Sequence, residues 1–164
     1  MDELLKELQW ESEKTRKALS RIPDDKFAWK PHEKNRPLGK LASHIAELPG
    51  WIPFVLREKE LDFNNPVTFL GHSFDNKKDL MDFFDKTLSE AKKALQEGKD
   101  KELKKEWFIR KGDVILVKAT KGDIIRRMSF NHVVHHRAQL GLYYRLLNVP
   151  VPATYGPSAE EQGF

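Results

Sequence analysis

The stretch SFNHVVHHRAQLGLYYRLLN, residues 129–148, decides the fold and carries three of the chain's six histidines within five positions. They are His132, His135 and His136, and most of their neighbours are Val, Leu and Tyr, which is not the composition of a charged surface segment. At about 100° per residue, positions 132 and 136 of an α-helix lie about 40° apart on one face. We expect this face to point into the protein and the nearby arginines to point elsewhere.

Two neighbouring imidazoles inside a protein need partners, because buried polar groups without hydrogen bonds are costly. A divalent cation satisfies both rings, and imidazole is a common ligand of Zn, Ni, Fe and Cu. His44 lies within the apolar arc of an earlier helical segment, LASHIAEL. Alone it is best interpreted as a satisfied core residue, but together with His132 and His136 it completes a three-histidine metal site. Three neutral ligands with an open fourth position are typical of a catalytic metal centre.

The other candidates for ligation are weaker. His135 lies at the flank of the predicted inward face, and His32 and His72 lie in loop segments, where we expect them to be solvated. An acidic ligand at helical spacing from His44, such as Glu47, is expected to face away from the same arc. The sequence shows no Ser-His-Asp grouping, no phosphate-binding glycine loop and no Glu-x-x-His pair of a di-iron protein.

Apolar residues at helical spacing predict four helices, which favour an all-α four-helix bundle. The long connections after the second and third helices argue against a simple up-and-down meander. The predicted elements are a helix over 2–21; a second helix from Pro37, interrupted near Pro49–Pro53; a third from Asn76 to about 98; a short β-hairpin or extended segment near 105–119; and a fourth helix from Asp123, as N-cap, to Asn148.

Length and composition indicate one folded globular domain over residues 1–164, since 39% of residues are hydrophobic and 33% charged. The net charge of +4 is spread among interspersed lysines and acids, so we expect no nucleic-acid binding. No apolar run approaches the roughly 20 residues of a membrane span. The N-terminus does not resemble a signal peptide, which favours a cytoplasmic location. The chain has no cysteine, so a reactive thiol would have to come from another molecule.

Two segments resemble the DinB/YfiT-like superfamily. The stretch NHVVHHRAQLGLYYRLLNVPVPATYGPSAEE is similar to that superfamily's C-terminal helix and the coil after it, and GKLASHIAELPGW is similar to its second helix. The resemblance implies a bundle with long crossover connections, a divalent metal such as Zn or Ni on His44, His132 and His136, and a homodimer. Arg137 and Gln139 belong to the same motif, without a role that the sequence defines.

The resemblance also implies an activity. Characterised members are metal-dependent transferases or isomerases that use low-molecular-weight thiols, so we expect a metal-activated water or external thiol to attack a small electrophilic substrate, as in a thiol S-transferase or a hydrolase. The alternative is a non-catalytic, metal-binding, stress-associated dimeric bundle. No catalytic residue is identified; Tyr155, in the coil after the fourth helix, could either fold over the mouth of the bundle or pack on its surface.

Overall fold

The computed structural model describes residues 1–65, 67 and 69–162. Within these residues the chain is mainly helical, with a small sheet, which confirms the predicted bundle and its β-segment. The helices are α1 (Asp2–Ser20), α2 (Leu38–Glu47), α3 (Trp51–Arg57), α4 (Lys77–Glu97), α5 (Asp100–Leu103), α6 (Lys121–Ile125) and α7 (Asn131–Leu146), and the strands are β1 (Glu60–Asp62), β2 (Glu106–Lys111) and β3 (Val114–Thr120).

Four of these helices form the bundle. Helix α1 packs against α4 and α7, and α2 packs against the same two helices. Helices α1 and α2 therefore lie diagonally across the bundle, and so do α4 and α7. This order requires long connections from α1 to α2 and from α4 to α7, because an up-and-down meander would place consecutive helices side by side. The long connection predicted after the third helix crosses the bundle in this way, whereas the one predicted after the second helix joins the neighbours α2 and α4.

The 17-residue connection between α1 and α2 (21–37) is fixed against the start of α2. The amides of Leu38 and Gly39 donate to the carbonyls of Trp29 and Phe27, at 2.7 and 2.8 Å. These bonds satisfy amide groups at the helix N-terminus that have no partner within the helix. A Cβ on Gly39 would lie 2.5 Å from the Phe27 ring, so glycine permits this close approach. Pro37 precedes the helix and does not occupy its first turn as predicted.

The predicted interruption of the second helix is present as a 3₁₀ turn, Leu48–Gly50, between α2 and α3. Strands β2 and β3 then form the predicted hairpin, with Gly112 in its turn at a φ of +56°. Strand β1 pairs in parallel with β2, from Glu60 opposite Phe108 to Asp62 opposite Arg110. This third strand was not predicted, because the sequence around it has no regular pattern.

The last helical region begins differently from the prediction. The side chain of Thr120 accepts a hydrogen bond from the Asp123 amide at 3.1 Å, so Thr120 is the N-cap and Asp123 is the third residue beyond it. Strand β3 runs directly into α6, and no loop separates them. A π-helical turn, Arg126–Phe130, then joins α6 to α7, and the histidine pair lies just beyond it. None of the helices in the described ranges has the length and apolarity needed to cross a membrane.

Candidate metal centre

Three histidines from two helices meet beside a cleft between α2 and α7. The Nε2 atoms of His44 and His132 are 3.4 Å apart, and those of His132 and His136 are 2.8 Å apart. The three potential ligand atoms all lie within 4.8 Å of one another, and the side chains are half-buried. Of the six histidines, these are the three that the sequence singled out. The geometry is that of a group that could hold a metal ion.

Glu47 orients the His44 ring. The His44 Nδ1–H donates to Glu47 Oε1 at 2.6 Å, and the other carboxylate oxygen accepts from the amides of Gly71 and His72, at 2.8 and 3.3 Å. The expectation that Glu47 faces away from the His44 arc is therefore wrong. Glu47 is buried, 3% exposed, and reaches back along the helix to the ring. Because it holds the proton on Nδ1, it leaves the Nε2 lone pair of His44 free to bind a metal.

Gln139 does the same for His136 on the other helix. The His136 Nδ1–H donates to Gln139 Oε1 at 2.7 Å, and Gln139 Nε2 donates to the His135 ring at 3.1 Å. His135 itself is exposed and lies outside the cluster. Gln139 thus has the role that the sequence left undefined, and it fixes the tautomer of His136 with the Nε2 lone pair toward its neighbours.

His132 differs from the other two rings. Its Nδ1 is buried and has no hydrogen-bond partner of normal geometry among the described residues. Burial lowers the pKa of His132, as do electrostatic interactions with the neighbouring His44 ring and with the charge of Arg36, whereas the Met128 carbonyl opposes the shift. Burial also lowers the pKa of His136 to about 4. Both rings are therefore neutral near pH 7, which is the form that coordinates a cation.

Two of the three nitrogen separations, those of His132 from His44 and from His136, lie within about half an ångström of the value expected around a small divalent cation. Two imidazole nitrogens bound to tetrahedral Zn²⁺ at about 2.0–2.1 Å lie about 3.4 Å apart. The His44–His132 separation of 3.4 Å has that value, and the His132–His136 separation of 2.8 Å would have to widen by about half an ångström. The donor set of three neutral imidazoles also suits Zn, Ni, Cu and Fe and does not favour the hard cations Mg and Ca.

The cleft beside the histidines has a volume of about 560 Å³, within the range of small-molecule sites. Its lining combines His44, His132 and buried Glu47 with the cations Arg36 and Lys40 and with apolar side chains, of which Trp51, Phe63, Leu70 and Met128 are the largest. The segment that carries Gly71, His72 and Ser73 forms one wall. His72 is exposed, as expected for a loop residue, and its ring contacts Phe83.

A second cavity, of about 430 Å³, lies on another side of α7 and contains none of the histidines. Its walls come from α1, α7 and the C-terminal coil, and they are mainly apolar. We assign ligand binding to the histidine cleft, because the residues that line the second cavity include no group of side chains that could hold a metal ion. Tyr155 lines this second cavity and does not line the histidine cleft.

Arg137 forms a buried ion pair on the same side of α7 as Tyr155. Its guanidinium donates to Glu11 Oε2 at 2.7 Å, to Thr15 Oγ1 at 3.0 Å and to the Tyr155 hydroxyl at 2.6 Å. Arg137 and Glu11 are 5% and 6% exposed. Burial raises the pKa of Tyr155, as does its hydrogen bond to Glu11. The contacts therefore give Arg137 a structural role: it joins α7 to α1 and to the C-terminal coil.

Comparison with known proteins places this geometry in context. The family model described as "DinB family" matches residues 1–163. A DinB-like protein from Bacillus cereus ATCC 10987 is 22% identical, with a TM-score of 0.72 over 94% of this chain and 97% of that one. A DinB-like protein from Bacillus subtilis, YjoA, is 18% identical, with a TM-score of 0.71 over 98% and 99%. The structure of a mycothiol-dependent maleylpyruvate isomerase is 12% identical, with a TM-score of 0.61 over 85% of this chain and 60% of that one. No curated protein sequence matches the chain.

Proposed function

The chain belongs to the DinB family, and from this premise and its three-histidine cluster we propose that it is a metal-dependent enzyme that joins a low-molecular-weight thiol, or water, to an electrophilic small molecule. His44, His132 and His136 are the proposed ligands, and zinc or nickel is the proposed metal. The observation that carries the proposal is the convergence of three Nε2 atoms, two of them on rings whose Nδ1 protons are held by Glu47 and Gln139.

A divalent ion held by three neutral ligands lowers the pKa of a water or thiol that occupies its open position. The residues of the chain perform the remaining tasks. Glu47 and Gln139 hold the rings, the lowered pKa values of His132 and His136 keep those rings unprotonated, and the cleft admits the second reactant beside them. The chain has no cysteine, so the thiol must bind as a separate molecule.

The likeness to a mycothiol-dependent isomerase supports the choice of an external thiol. That protein is named for its use of a thiol, and it shares the fold over most of this chain. The homodimer and the cytoplasmic location expected from the sequence remain proposals.

The test begins with the metal content of purified protein. We expect wild type to hold about one equivalent of a divalent transition metal, and His44→Ala, His132→Ala and His136→Ala each to lose it, because two imidazoles bind such ions far more weakly than three. His135→Ala is the matched control: it removes an exposed imidazole from the same helix and should retain the metal.

Activity is then measured as the consumption of thiol by wild type and by the four variants. Glutathione, bacillithiol and mycothiol are each supplied with a panel of alkyl and aryl electrophiles, and hydrolysis is followed without thiol. Loss of activity in the three ligand variants, with activity kept in His135→Ala, would support the proposal. Full metal content in His132→Ala would contradict the site. A wild-type protein that holds its metal but turns over no substrate would favour the non-catalytic alternative.

A further inference from the structure

The histidine cleft carries two positive charges without acidic partners. Arg36 and Lys40 line it, both are exposed, and neither forms an ion pair among the described residues. Elsewhere on the surface several arginines are neutralised, as Arg126 is by Glu7 and Arg145 by Glu160. Arg36 and Lys40 therefore differ from Arg126 and Arg145 in having no acidic partner among the described residues.

Glu47, the acidic residue in the cleft lining, does not neutralise them. One of its carboxylate oxygens accepts from His44 and the other from the Gly71 and His72 amides, and the side chain is buried. Both carboxylate oxygens are thus hydrogen-bonded, one to the His44 ring and the other to the loop amides. Arg36 and Lys40 therefore give the open part of the cleft a positive potential.

Both cations are held close to the histidines. Lys40 lies four residues before His44 on α2, so the two side chains share a face of that helix. The backbone of Arg36 is attached to α7, because the Tyr143 hydroxyl donates to the Arg36 carbonyl at 3.1 Å. Arg36 lines the same cleft as His44 and His132.

Much of the remaining wall is apolar. Trp51, Phe63, Leu70 and Met128 form much of the surface that a bound molecule would contact. A molecule that complements the cleft therefore has an anionic end and an apolar or uncharged body. The planar guanidinium of Arg36 matches the two oxygens of a carboxylate, which it can bind through paired hydrogen bonds.

We infer that the cleft selects a carboxylate-bearing reactant, whose carboxylate binds Arg36 and Lys40 while its body extends toward the three histidines. The statement that the body of the reactant extends toward the histidines rests on the proposed function. The binding of the carboxylate depends on Arg36 and Lys40, which lie outside the histidine cluster. The carboxylate can belong to the electrophilic substrate or to the external thiol, since thiols built on amino acids carry carboxylates.

The test measures binding calorimetrically with two probes. Succinate represents a small carboxylate substrate, and S-methylglutathione represents the carboxylates of a thiol whose sulfur is blocked. Succinamide, the uncharged analogue of succinate, should bind at least tenfold more weakly than succinate. Each titration is made on the protein as purified and again after removal of metal by a chelator, so that direct coordination of a carboxylate is separated from binding at the cations.

The decisive variant is Arg36→Gln combined with Lys40→Gln. It should weaken binding of the recognised probe by about tenfold or more, because it removes both charge-assisted hydrogen bonds to the carboxylate. Lys101→Gln combined with Lys104→Gln is the matched control: it removes the same two charges from exposed positions that do not line the cleft, and it should bind like wild type.

The outcomes separate this inference from the proposed function. The probe that loses affinity in the cleft variant identifies the source of the carboxylate. If wild type binds neither probe, or if the cleft variant binds as tightly as the control variant, the inference is wrong even where the protein retains its metal. If succinate binds through Arg36 and Lys40 in a protein that holds no metal when purified, the anion site stands and the metal-dependent function fails.

Discussion

The contact of Glu47 with His44 can be tested by the substitution Glu47→Gln. The amide is nearly the same shape, and its oxygen can still accept from the His44 Nδ1–H. Its NH₂ group then faces the backbone amides of Gly71 and His72, which donate to Oε2 in the native protein. Two donors cannot satisfy each other, so the amide must either lose the loop contacts or turn its oxygen away from the ring.

The expected loss follows from the strength of these bonds. The imidazole bond to a charged acceptor is worth about 1.5–3 kcal/mol. A tenfold change in affinity corresponds to about 1.4 kcal/mol, so metal affinity should fall about 10- to 100-fold. Losses of this size are usual when the partner that orients a metal-binding histidine is removed. The side chain is 4% exposed, so water does not readily replace the carboxylate.

The assay is a zinc titration against a chelator of known affinity, at constant pH and ionic strength. Ser43→Ala is the matched control, because the Ser43 hydroxyl accepts from the Phe74 amide at 3.0 Å and anchors the same loop without touching a histidine. We expect Ser43→Ala to lose about 1 kcal/mol of stability and to keep its zinc affinity. The reasoning is refuted if Glu47→Gln binds zinc as tightly as wild type, or if both variants lose affinity equally.

Two further predictions concern stability, measured by urea denaturation. Arg137→Met should lower the free energy of unfolding by about 3–5 kcal/mol, because it leaves the buried Glu11 carboxylate without its cation. Arg137→Met combined with Glu11→Leu should recover much of this loss. A double variant that is no more stable than the single variant would contradict this prediction. In chelator-treated protein, the pKa of His136 is lowered by burial to about 4, against about 6.5 in the unfolded chain. Between these two pH values the unfolded chain therefore binds more protons than the folded chain, so the free energy of unfolding should fall as the pH drops from about 6.5 toward 4. The expected decrease is about 1 kcal/mol, because the ring is partly exposed to solvent. The variant His136→Gln should show a weaker dependence on pH.

The parts of the fold that the sequence predicted are those controlled by local patterns. Helix α4 begins after Asn76, whose side chain accepts from the Asp79 amide, and it buries Leu80, Phe84 and Leu88 at helical spacing. Two features were not predicted correctly, for a different reason: Asp123 is not the N-cap of its helix, and β1 was not predicted. A strand that runs straight into a helix, or that pairs with a strand more than 40 residues away, depends on tertiary contacts that a local pattern does not contain.

The His132–His136 pair was predicted because its signal is also local, whereas His44 was added because it lies on the apolar arc of another helix and because of the family resemblance. His132 and His136 follow the helical period, and the π-helical turn of 126–130 lies before both, so it does not change their mutual angle. The orienting residues were missed although both stand three positions after their histidine, as Glu47 does after His44 and Gln139 after His136. A residue at this spacing lies about 60° around the helix from its histidine, which is close enough for a long side chain to reach the ring.

The same spacing explains why the third ring is different. The residue three positions after His132 is His135, whose imidazole is engaged by Gln139 and is exposed. No side chain in the described ranges therefore fixes the tautomer of His132. His44 and His136 each present an Nε2 lone pair, because their Nδ1 atoms carry the donated protons. The Nε2 atom of His132 lies 2.8 Å from that of His136 and 3.4 Å from that of His44. In the form that binds a cation all three Nε2 atoms present lone pairs, so the His132 proton must then be on Nδ1. The cluster thus combines two rings whose tautomers are fixed by side chains with one ring whose tautomer no side chain fixes, and two of the three rings are already in the binding form.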